Sequence, residues 1–136
     1  LGLLVPQYKK IDSAFIMEAL KNDPRNYYYR GLYAAAWVEE HPDLNDLPQE
    51  LDSYLKNLNE DGFGALISLN SIRKVKNPEL LSKVILRALN LNRYSLDFLG
   101  ELKNDLREKD DSYENVPHRR TLIRKIDAKM AEHFKP

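Results

Sequence analysis

Asn77-Pro78-Glu79-Leu80-Leu81-Ser82-Lys83-Val84-Ile85-Leu86-Arg87-Ala88-Leu89 decides the fold class. Asn is a capping residue, and Pro suits the first helical position because its missing N–H has no partner there. Leu81, Val84, Ile85, Ala88 and Leu89 then recur at i, i+3, i+4, i+7 and i+8, one stripe of a helix rather than the alternation of a strand.

Working outward, the same logic covers most of the chain. A first helix is predicted near Ser13 to Asn22, capped by Asp12 or Ser13, with Phe15, Ile16, Ala19 and Leu20 apolar. Asp23-Pro24 opens a second, running through Tyr27-Tyr28-Tyr29 and Ala34-Ala35-Ala36-Trp37-Val38 to Glu39-Glu40-His41-Pro42. Asp46 with Gln49 makes a capping-box-like start to a third, whose stripe is Leu51, Tyr54, Leu55 and Leu58. Asn59 to Gly64 breaks the pattern, with Gly62 read as a left-handed helix cap. A fourth helix then takes Leu66, Ile67, Leu69, Ile72 and Val75.

Beyond the fifth helix, Ser95 starts a sixth with Leu99, Leu102 and Leu106 on one face. Asp110 to Val116 is loop-like, and Pro117 opens a seventh whose buried stripe is Leu122, Ile123, Ile126, Met130 and Phe134. The expectation is an all-α, single compact bundle of about seven short helices over residues 1–136, with little or no sheet. Ile16-Ala19-Leu20 and Ile85-Ala88-Leu89 coincide at an offset of 69 residues. The packing is accordingly either orthogonal, the preferred reading, or a short array of helical hairpins.

Composition agrees. Leucine occurs 22 times, whereas the β-branched Val, Ile and Thr occur 5, 7 and 1 times, which disfavours sheet. With 43% hydrophobic and 31% charged residues the chain is apolar enough to fold and has no bilayer-spanning run of roughly 20 apolar residues. Its lack of cysteine excludes disulfides, thiolate metal sites and thiol nucleophiles, so a cytoplasmic setting is expected. A start at Leu1 rather than Met suggests a domain excised from a larger protein.

Catalytic signatures are missing. There is no nucleophile elbow, paired-His zinc motif or phosphate-cradling glycine loop, and His41, His118 and His133 are far apart in sequence. Asn57 to Gly62 resembles the first half of a calcium loop, but its twelfth position is Ser68 where a bidentate carboxylate is needed. No cofactor and no metal are expected. The lowest-ranked reading is a metal-dependent enzyme using Glu39, Glu40, Asp43 or Asp46.

Two surfaces stand out as places for a partner. Tyr27-Tyr28-Tyr29-Arg30 puts aromatics beside a cation, and because consecutive helical residues point about 100° apart, at least one ring is predicted to be exposed. His118-Arg119-Arg120, Arg124-Lys125 and Lys129 lay positive charge along the last helix, diluted by Asp127 and Glu132. The partner-binding candidates are therefore Tyr28, Tyr29, Arg30, Arg119, Arg120, Arg124 and Lys125. The leading expectation is a non-catalytic module that binds a protein partner. The alternative is an RNA- or DNA-binding domain using the basic 73–93 and 118–129 segments.

The 21 basic and 21 acidic residues give zero net charge, but not evenly. Residues 38–61 carry −7, 71–93 carry +5, 94–114 carry −4 and 115–136 carry +4. Acidic blocks are therefore expected to lie beside basic ones.

Overall fold

The computed structural model describes residues 13–69, 76–107, 116 and 118–135. Regular structure among them is helical: α1 (Ser13–Asn22), α2 (Tyr27–Glu40), α3 (Asp52–Leu55), α4 (Glu60–Leu69), α5 (Pro78–Leu91), α6 (Leu96–Arg107) and α7 (Arg119–Glu132). One 3₁₀ turn, Gln49–Leu51, leads into α3, and no strand occurs among the described residues. The all-α bundle expected from leucine content and periodicity is thus the observed class. No helix among the described residues is long and apolar enough to cross a membrane.

One local design recurs three times. Asn26 accepts a hydrogen bond from the Tyr29 N–H (3.1 Å), Asn59 from Gly62 (2.9 Å) and Ser95 from Phe98 (3.1 Å). Each cap satisfies one of the orphan donors at the start of α2, α4 or α6. Each of these helices carries glycine at its fifth position (Gly31, Gly64, Gly100) and follows α1, α3 or α5 across a four-residue connection. The starts of α2, α4 and α6 are spaced by 33 and 36 residues, the period of helical-hairpin arrays. The 69-residue offset visible in the sequence is two such periods.

Contacts run between successive units. Second helices meet second helices: α2 crosses α4, and Phe63 of α4 lies 6.2 Å from Phe98 of α6, edge to face. First helices meet first helices: the Tyr54 hydroxyl of α3 donates to Met17 Sδ of α1 (3.7 Å), and Arg87 of α5 donates to Asp52 of α3. α7 packs on α5 and α6, where the first helix of a next hairpin would sit. The spacing of the helix starts is repeat-like, and the packing is that of an all-α bundle.

The α2–α4 crossing corrects the reading of Gly62. It is not a left-handed cap: no described glycine has positive φ, and Gly62 lies inside α4. A Cβ on Gly62 would stand 2.5 Å from the Tyr27 carbonyl oxygen, and one on Gly31 would stand 2.9 Å from the Gly62 carbonyl carbon. Two glycines therefore let two backbones touch. The left-handed residue that turns the chain out of α3 is Asn57 (φ 63°), one of the few side chains that tolerate it.

Other boundaries shift for identifiable reasons. Asp23-Pro24 forms a tight turn closed by the Asn26 N–H on the Asp23 carbonyl (3.1 Å), so Asn26, not Asp23, caps α2. Asp46 does not cap the third helix. Extended Pro48 (φ −71°, ψ 143°) precedes a 3₁₀ start, and Asp46 pairs with Lys83 instead. α7 begins at Arg119 after His118 (φ 55°), not at Pro117, which lies outside the described residues together with Asp12, Ile72 and Val75. Phe134, read as part of the buried stripe of the seventh helix, is exposed (75%) because α7 ends at Glu132 and Phe134 lies in the turn beyond it; Phe15, apolar at helical spacing, is exposed as well (64%).

The main core contains Leu51, Leu55, Leu58, Phe63, Leu66, Ile67, Leu80, Ile85, Leu89, Leu99, Leu106 and Ile126, all at most 2% exposed. A smaller cluster of Ile16, Leu20 and Ala36 joins α1 to α2, with Tyr29, Tyr33 and Tyr54 along its edge. Burial of that extent stabilises by roughly 1.5–3 kcal/mol for each large side chain before conformational entropy is subtracted.

Candidate interaction surface

The aromatic run on α2 divides as helical geometry requires. Tyr28 is exposed (53%), while Tyr29 is half-buried against the α1–α2 cluster, its ring 6.3 Å from that of Tyr28. Arg30 is turned inward. Its Nη2 donates to the carbonyls of Ser53 and Lys56 (3.1 Å for the latter), and its guanidinium lies 5.5 Å from the Tyr27 ring centroid. A cation on the last carbonyls of the short α3 compensates orphan acceptors at that helix end. Tyr33, whose ring lies 4.4 Å from that of Tyr54, has its hydroxyl pKa raised, first by burial and then by Tyr54, Glu50 and Glu40.

The connection between α5 and α6 is densely bonded. Asn92 donates to the Leu55 carbonyl (2.8 Å), the Tyr94 hydroxyl to the Leu58 carbonyl (2.8 Å), and the Ser95 N–H to Glu60 (3.2 Å). His133 Nε2 lies 2.9 Å from the Tyr94 carbonyl, so that nitrogen carries the proton, and Nδ1 accepts from Arg93 (3.3 Å). Burial pushes the Tyr94 hydroxyl far above its ordinary range. Open clefts of about 630 and 250 Å³ flank this connection; both are lined by Leu91, Asn92, Arg93 and Tyr94. Their polar groups mostly bind the hairpin turns together, and they do not assemble a nucleophile with a base.

Charge is distributed unequally between the two basic helices. On α5, Lys83 binds Asp46 (3.2 Å) and the Asn45 carbonyl (2.6 Å), and Arg87 grips both oxygens of Asp52 (3.1 and 2.7 Å). The Arg87 hydrogen bonds hold the Asp52 carboxyl below its ordinary range. Acidic segment 46–52 thus covers basic segment 83–87, as the alternating charge blocks predict.

On α7 the outcome differs. Arg119 is half-buried and donates to the Leu106 carbonyl at the end of α6. Asp127 is taken by Lys103 of α6 (2.6 Å), and Glu132 lies 3.9 Å from Lys129. Arg120, Arg124 and Lys125 are exposed and, among the described residues, form no ion pair; Arg124 meets only the neutral Thr121 hydroxyl (3.2 Å). Exposed Phe134 lies in the turn just beyond the same helix.

The start of α7 also departs from helix rules. Cap residue His118 makes no side-chain hydrogen bond to the helix, and no acidic residue sits in the first turn. Two arginines occupy it, where the positive end of the helix dipole disfavours cations. His118 instead approaches Glu79 of α5 (3.4 Å).

The structure separates the sequence candidates. Tyr28 stays outward, Tyr29, Arg30 and Arg119 are engaged internally, and Arg120, Arg124 and Lys125 remain together on one helix. Arg73 and Lys74 lie outside the described residues. Sequence reasoning missed that Asp127 and Glu132 are occupied, since Lys103 reaches Asp127 from another helix. No group of three or more His, Asp or Glu among the described residues could hold a metal ion. No protein-family model, curated protein or solved structure matches this chain.

Proposed function

We propose that this chain is a non-catalytic helical module that binds another protein across the outer surface of its hairpins. The observation that carries this reading is the threefold recurrence of one hairpin design, with the same cap, connection length and glycine position. Hairpin arrays stack into extended surfaces shared by neighbouring units, and such surfaces serve recognition. The clefts are open and formed by hairpin turns. A chain without cysteine also suits a cytoplasmic partner.

The nucleic-acid alternative needs segments 73–93 and 118–129 to act as one positive footprint. Lys83 and Arg87 are neutralised by Asp46 and Asp52, which removes two of that segment's four described cations from any phosphate path.

Photocrosslinking residues introduced singly at exposed positions 53, 90, 120 and 124 test the proposal in cell extract at low salt. Protein adducts insensitive to nuclease are expected from at least one position. Adducts that vanish on nuclease treatment, or their absence at all four positions, would overturn it.

A further inference from the structure

We propose that the N-terminal half of α7 is a carboxylate-binding surface, and that its occupant is an acidic, partly apolar segment of a partner protein. This rests on the reading of the chain as an interaction module and names the surface and the partner chemistry.

Three independent features converge there. First, Arg120, Arg124 and Lys125 are exposed and, among the described residues, no carboxylate pairs with them. Arg120 and Arg124 are one turn apart, so their guanidinium groups emerge from one face. Second, the carboxylates that would dilute the patch are occupied: Asp127 by Lys103 and Glu132 by Lys129. Third, the helix start lacks both a capping side chain and a first-turn acid of its own, and the only carboxylate printed there among the described residues, Glu79 of α5, meets His118 (3.4 Å). Helix termini in this condition favour anions, and the adjacent arginines supply charge-assisted, bidentate geometry for a carboxylate. A local rule broken at a solvent-facing helix start is where a binding role is expected.

The molecule itself shows what covers such a surface. Lys83 and Arg87 on α5 are also one turn apart, and they are met by Asp46 and Asp52 from a loop and short helix. α7 presents the same pair spacing and, among the described residues, no acidic cover. Exposed Phe134, in the turn that follows α7, adds an apolar contact, so the occupant carries carboxylates at one end and a hydrophobic side chain at the other. The positive patch spans only the first turns of one helix, which suits a short acidic segment better than a phosphate backbone.

Fluorescence anisotropy with the full chain tests this. The probes are a labelled synthetic peptide of Asp, Glu and Leu, its Asn/Gln counterpart, and a single-stranded oligonucleotide of the same net charge as the acidic peptide. The acidic peptide is expected to bind, to weaken with salt, and to lose about tenfold or more in affinity in R120E/R124E/K125E and in the neutral R120Q/R124Q/K125Q. The control K21E/K56E/K76E, which reverses three charges elsewhere, is expected to retain binding, with helical circular dichroism preserved in all variants. Unchanged peptide affinity in both α7 variants, equal binding of the Asn/Gln peptide, or tighter binding of the oligonucleotide would overturn the assignment. Photocrosslinked protein adducts that persist elsewhere on the array would then leave the interaction-module reading standing. Loss of both peptide binding and adducts would defeat both.

Discussion

α5 and α7 are both 14 residues long, both amphipathic, and both carry a basic pair one turn apart, yet they are used differently. α5 obeys every rule for a helix start: Asn77 caps Leu80 N–H (3.1 Å), Pro78 follows, and Glu79 sits in the first turn. It buries six side chains, and its outward cations are paired. α7 buries two, lacks a side-chain cap, and leaves three cations facing solvent. Equal sequence signals thus acquire different roles from what the chain lays beside them.

Removing core contacts from α5 should produce the largest effect. Leu89→Ala, at a site 1% exposed, is expected to cost about 3 kcal/mol in denaturant unfolding. A loss below about 1 kcal/mol would mean that Leu89 does not pack in the core.

Next comes the charge cover on α5. The Asp52 carboxyl has a lowered pKa because Arg87 hydrogen-bonds it, so folding is favoured above the unfolded carboxylate pKa, and this contribution fades as pH falls through the lowered folded value. Arg87→Ala should therefore be less stable than the parent at neutral pH, with the gap closing in acid. A gap independent of pH would show that the pair is not its source. Both side chains are partly exposed, so the effect should be well below that of Leu89→Ala.

The smallest stability effect belongs to α7. Replacing Arg120, Arg124 and Lys125 together with Ala should change stability by no more than about 0.5 kcal/mol, since they contribute no described ion pair. A marked destabilisation would turn the open surface into a structural one and erase the contrast with α5.

The helical class was legible because leucine periodicity and the Asn77-Pro78 and Ser95 caps act locally. Gly62 was misread for a physical reason: a glycine that ends a helix and one that admits a neighbouring backbone look alike until α2 arrives beside it. Phe15 and Phe134 satisfy apolar spacing yet stay exposed, Phe134 because α7 ends before it, which spacing does not reveal. The repeat was only half visible, because the first helix of the middle hairpin is a 3₁₀ turn and four residues without the Ile-Ala-Leu pattern. For the surface, the basic run of α7 was readable, but the inward role of Arg30 depends on carbonyls 23 and 26 residues away.

Acidic side chains cover the cations of α5, whereas among the described residues those of α7 are open. Amide hydrogen exchange measured with and without the acidic peptide tests this contrast most directly. Added protection is expected to concentrate in residues 119–135, with residues 78–91 unchanged. Protection centred on Lys83 and Arg87, or none on α7 at saturating peptide, would contradict it.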